Sequence, residues 1–148
     1  MSIVFSESDQ NSIQDLIKKR GFSSDVLDFD IERWRQLVDQ SRSGYDDDVT
    51  EYTNDLASRD FIQSIYEELS DEGKLHLMSV VAPLDNDFKS FTTQIDSPLM
   101  AYRHLRPNIH FWYYRVPKRI GNQYLPAFEG QAKESLRNKV EVFAERAD

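Results

Sequence analysis

Leu77, Val81, Leu84, Phe88, Phe91 and Ile95 recur at alternating steps of four and three residues, the spacing that lines up apolar side chains along one side of an α-helix. A β-strand cannot use that stripe, because its same-face neighbours lie two residues apart. The helix begins after Ser70, an N-cap residue followed by Asp71 and Glu72, which complement the positive end of the helix dipole. Pro83 falls inside the stripe. It brings no backbone donor and crowds the preceding turn, so the spacing predicts a kink near Ser79 or two helices abutting there.

Three earlier segments carry the same period. Residues 8–20 place Ile13, Leu16 and Ile17 on one face and end on basic residues before Gly21. Residues 24–43 carry Leu27, Ile31, Trp34 and Val38, with Leu37 beside them, and Trp34 is expected to face the core. Residues 47–69 carry Val49, Tyr52 and Leu56, then Phe61, Ile62, Ile65, Tyr66 and Leu69. The phase drifts near Ser58, which predicts a bend or break. A last helix is expected over 128–146, with Phe128, Ala132, Leu136, Val140 and Phe143 on one side.

Between the fourth and last helices the pattern changes. Pro98, Pro107, Pro117 and Pro126 cut 97–128 into pieces too short for a long helix. Residues 100–105 have room for one or two helical turns. Residues 109–116 read Ile-His-Phe-Trp-Tyr-Tyr-Arg-Val, whose aromatic and β-branched content predicts an extended edge strand. No repeat or linker divides the chain. The expectation is one helical domain over 1–148, mainly α, a bundle of about five helices with a short extended aromatic segment before the last. An α+β alternative pairs 109–116 with 3–5 in a small sheet.

The chain has no cysteine, which excludes disulfides, thiolate metal sites and a cysteine nucleophile and suits the reducing cytoplasm. Its first residues lack a basic n-region, and no apolar run approaches the roughly 20 residues of a membrane span, so neither a secretory signal nor a membrane partner is expected. Gly21, Gly44, Gly73, Gly121 and Gly130 are too scattered for a phosphate-binding loop. His76, His104 and His110 form no His-Glu-x-x-His pair, and six residues across Pro107 is not a familiar ligand spacing, so no metal, cofactor or catalytic residue is assigned. The acidic clusters at 28–32, 46–48 and 85–87 fit helix capping and solvated faces better than a calcium loop, which needs alternating ligands, a glycine and a closing Glu.

Charge is distributed unevenly. Residues 97–128 contain no Asp or Glu but hold Arg103, Arg106, Arg115, Lys118 and Arg119, a charge of +5. The other 13 basic residues share the rest of the chain with all 26 acidic ones, a net of −13. One account is internal: the basic segment wraps an acidic helical body and pairs with it. The other is recognition, because Tyr, Trp and Arg are the side chains most enriched at binding hot spots. The candidate partner-binding residues are Arg103, Arg106, His110, Phe111, Trp112, Tyr113, Tyr114 and Arg115. The acidic surroundings disfavour nucleic acid. The expected function is that of a small acidic cytoplasmic protein that binds another protein, for instance an immunity or antitoxin-like inhibitor of a basic partner. An enzyme using carboxylate or histidine acid/base chemistry and an oligomeric structural protein are the alternatives.

Overall fold

Five of the six stripe residues, Leu77 to Phe91, lie on helix α4 (Asp71–Phe91), which buries Leu77, Val81 and Phe88. The computed structural model describes residues 3–100, 102–121, 123–124 and 136–143. Ahead of α4 come α1 (Glu7–Lys19), α2 (Val26–Ser43) and α3 (Val49–Glu68). Helix α2 lies between α3 and α4, and α1 rests on α3. The protein is mainly α.

Ser70 caps α4 as its sequence position predicts, and α1 and α3 are capped likewise. Ser6, Asp48 and Ser70 accept hydrogen bonds from Asp9 N, Glu51 N and Gly73 N at the first turns of α1, α3 and α4. Pro83 does not divide α4. It sits on the exposed side, as does Ser79 one turn earlier, so the hydrogen bond that proline forfeits belongs to a solvent-facing carbonyl and its loss is tolerated.

Helix α3 is also unbroken at Ser58. Its apolar phase lapses there because polar residues take the inward positions: Ser58 and Arg59 are 2% and 3% exposed. Arg59 grips Asp85 of α4 with two bonds, Nε to Oδ1 at 2.9 Å and Nη2 to Oδ2 at 2.8 Å. Asp85 Oδ1 also accepts from Trp34 Nε1 of α2 at 3.0 Å. A buried charge pair of this geometry holds three helices in one register.

Asp30 is a second buried acid, on α2, and no ion pair compensates it among the described residues. Burial raises its pKa to about 6, and the Arg33 charge and the Ser58 hydroxyl offset only part of this. A folded-state pKa above the unfolded 3.8 means that the folded protein holds the proton more tightly, so stability falls as pH rises from about 4 to 6. Asp30→Asn is therefore expected to stabilise the protein by about 1–2 kcal/mol at neutral pH and by almost nothing below about pH 4. Urea denaturation at the two pH values checks this, and an equal effect at both would contradict it.

After Phe91 the chain turns extended instead of continuing helically to Ile95. Thr92 and Thr93 are β-branched, and the Thr92 hydroxyl donates to Phe88 O at 2.6 Å, closing the last turn. Strand β1 (Thr92–Gln94) pairs antiparallel with β2 (Arg115–Pro117), Thr93 opposite Val116. Pairing of the aromatic segment with 3–5 is therefore not observed. Strand β3 (Arg119–Gly121) pairs in parallel with β4 (Glu141–Phe143), and Tyr45 bridges to Ile120.

The aromatic run is not a strand over 109–116. Phe111–Tyr114 form a 3-10 helix, and only Arg115–Pro117 are extended. The reason is steric: Trp112 and Tyr113 are adjacent yet both buried, and a strand sends adjacent side chains to opposite faces. Residues 100–105 form no helical turn among the described residues. The last helix is also corrected. Residues 136–139 are helical, but 141–143 form β4. Val140 and Val142 are β-branched at alternate positions, and Glu141 N donates to Lys118 O at 2.7 Å. Phe128 and Ala132 lie outside the described residues.

Gly44 ends α2 with φ of 111°. A Cβ placed there would lie 2.7 Å from the ring of Phe143. Glycine is required on both counts.

Candidate functional site

Helix α3 turns Asp60 toward a cavity of about 370 Å³ lined by Arg20, Asp60, Gln63, Ser64, Glu67, His104 and His110. The opposite wall is the segment 102–113, folded back by turns in which Ile109 N and His110 N both donate to Arg106 O. Leu105 anchors that segment in the core. Tyr102 stacks on His104 with ring centroids 5.5 Å apart, and His104 meets His110 edge to face at 5.3 Å.

Asp60 is the hub. His104 Nε2 lies 3.0 Å from its Oδ2 and 3.4 Å from its Oδ1. The Tyr113 hydroxyl donates to Oδ2 at 3.4 Å, and His110 Nε2 stands 3.9 Å from Oδ1. The His104 ring is half exposed, whereas His110 is enclosed. Burial lowers the His110 pKa, with Asp60 pulling it up and His104 pushing it down. Neutral His110 accepts Arg106 N–H at Nδ1, 3.0 Å away, so its proton resides on Nε2, facing the cavity. Burial and the nearby Asp60 charge raise the Tyr113 pKa, keeping its hydroxyl a donor.

The candidate partner-binding residues scatter across several environments. His110, Trp112 and Tyr113 are buried, and the Trp112 ring sits 4.5 Å from the Arg59 guanidinium carbon. Phe111 and Tyr114, three apart on the 3-10 helix, are half-buried on its outer side. Arg115 is spent on Thr92 Oγ1 and on the carbonyls of Lys89 and Thr92. Arg103 and Arg106 are exposed, and among the described residues the Arg106 side chain bonds the carbonyls of Arg103 and Leu105 in its own turn. Only His110 and Tyr113 of the eight reach the cavity cluster. His104, set aside on its spacing from His110, belongs to the cluster, and Asp60, Tyr102 and Glu67 were missed, since nothing in their linear spacing signals them.

Comparison with protein-family models, curated proteins and solved structures gave no match. No helix among the described residues is long and apolar enough to cross a membrane.

The charge pattern also takes a specific form. Among the described residues, Arg103, Arg106, Arg115 and Lys118 make no ion pair, and Arg119 pairs with Glu141 of the neighbouring strand at 3.3 Å. Among the described residues, the arginines of the basic segment reach the helices through carbonyls, Arg115 at Lys89 and Arg119 at Ser43, and its contacts with a helix carboxylate are those of His104 and His110 with Asp60.

Proposed function

We propose that this protein acts by binding a basic protein partner through its acidic helical surface. The observation that supports the reading is the unspent acid. Asp28, Asp39, Asp46, Asp47 and Glu51 are exposed without an ion pair among the described residues. The basic segment, which has the charge to neutralise them, bonds backbone carbonyls and a strand neighbour instead. A surface of this kind steers cationic partners and repels phosphate backbones. An inhibitor of a basic, nucleic-acid-degrading enzyme in the cytoplasm is the concrete member of that class.

Affinity capture from the native host is expected to retrieve a basic protein, released by raising salt from about 0.1 to 1 M, where the screening length falls from about 10 to 3 Å. The Asp46→Lys/Asp47→Lys variant is expected to lose that partner while keeping its fold. Recovery of the chain alone, or capture indifferent to both salt and charge reversal, would sink the reading.

A second reading has one observation in its favour. The Asp60–His104 contact at 3.0 Å beside an open cavity is the arrangement by which a carboxylate orients an imidazole for general acid/base work. A metabolite screen would then show turnover that disappears in His104→Gln.

A further inference from the structure

We propose that Asp60, His104 and His110 form a binding site for a first-row divalent metal ion of the zinc type. The proposal stands apart from the basic-partner reading, since none of the three belongs to the unpaired acidic surface.

Two imidazoles and one carboxylate are the donor set of many open zinc and iron(II) sites. One ligand atom from each of the three residues lies within 4.8 Å of the others. A tetrahedral ion with bonds of about 2.0–2.1 Å spaces its donors roughly 3.3 Å apart. Measured to one oxygen, Asp60 Oδ1, the His104 Nε2 at 3.4 Å already fits and the His110 Nε2 at 3.9 Å must draw in, leaving Oδ2 to Tyr113. Rigidity is built in on one side, because Asp60 rides on a long helix and Tyr113 braces its Oδ2. Such a donor behind a ligating carboxylate is the usual outer support of a metal site. The cavity leaves space for water or another small ligand to complete the coordination. Glu67 on its wall adds negative charge and Arg20 opposes it.

His110 imposes one requirement. Its Nδ1 accepts the Arg106 N–H, which places the proton on Nε2. Capture of an ion through Nε2 moves that proton to Nδ1, where it meets another donor. The Leu105–Arg106 peptide must then turn so that a carbonyl faces Nδ1, the partner that metal-bound imidazoles commonly have. Binding is thereby coupled to a local change at Arg106.

The sequence makes the test clean, for there is no cysteine and only one other histidine, His76. His76 contacts Val4 O and stands near Glu72, on the exposed side of α4. The experiment is calorimetric titration of the chelator-treated full chain with zinc(II), accompanied by amide NMR spectra. One-to-one saturable binding is expected, weakened by about tenfold or more in His104→Ala and in Asp60→Asn, and unchanged in His76→Ala. The half-exposed His104 ring makes His104→Ala a variant that keeps its fold, which circular dichroism verifies. The Arg106 amide resonance is expected to shift on saturation. Absence of saturable binding, equal affinity in His104→Ala, or loss in His76→Ala overturns the proposal.

Discussion

Asp85→Ala is expected to cost about 3–5 kcal/mol of folding stability, because it strands the Arg59 guanidinium in a buried site without its counter-charge. Arg59 is 3% exposed, and its two bonds to Asp85 are the only ion pair it makes among the described residues. The Trp34 indole loses its acceptor in the same substitution. Removing both charges together, as Arg59→Met/Asp85→Leu, is expected to recover most of the loss, since apolar replacements of similar volume serve a buried position as well as a salt bridge does. Urea denaturation of the two variants tests both statements. A single-variant loss below about 1 kcal/mol would mean that water reaches the pair.

Trp112→Ala is expected to cost about 3–5 kcal/mol, the usual range for emptying a fully buried aromatic site. Trp112 is 0% exposed and covers one side of Arg59, so its removal also weakens the ion pair beneath it. Arg103→Ala, nearby in sequence but in solvent, is expected to change stability by no more than about 0.5 kcal/mol. Thermal or denaturant melting of the two separates a core role from a surface role within a single segment. Similar small effects from both would place Trp112 outside the core.

The helices were legible because burial and helical period coincide. Of the residues of α1, α2 and α4 that the period selects, Ile13, Ile17, Trp34, Leu77, Val81 and Phe88 are enclosed, whereas Leu16, Leu84 and Phe91 are half-buried against the edge of the core. The period failed where a charge does the work of an apolar side chain: Arg59 reads as an interruption and is a core residue. It failed again at Trp112 and Tyr113, where propensity favours a strand but two adjacent buried rings require a tighter backbone. The Asp60 cluster was illegible for a different reason. Its parts come from α3 and from a segment beyond α4, and no linear spacing records a meeting between 60 and 104. The uneven charge was legible as a count, but its disposition was not, because arginine can satisfy itself on carbonyls, as Arg115 does.

The parallel pairing of β3 with β4, joined by the bridge from Tyr45 to Ile120, bears on the order in which the molecule is made. Helices α1 to α4 precede residue 92 and can pack on one another while the chain is still emerging from the ribosome. The Tyr124 ring reaches Tyr45 and Tyr52, at 6.1 and 5.5 Å, only after the excursion returns, and β3 gains its neighbour only when 141–143 have been synthesised. Until then Tyr45 and the inner end of α3 lack their cover, and an unpaired strand edge is open to other chains. A message truncated just before residue 141 would yield a helical but association-prone product.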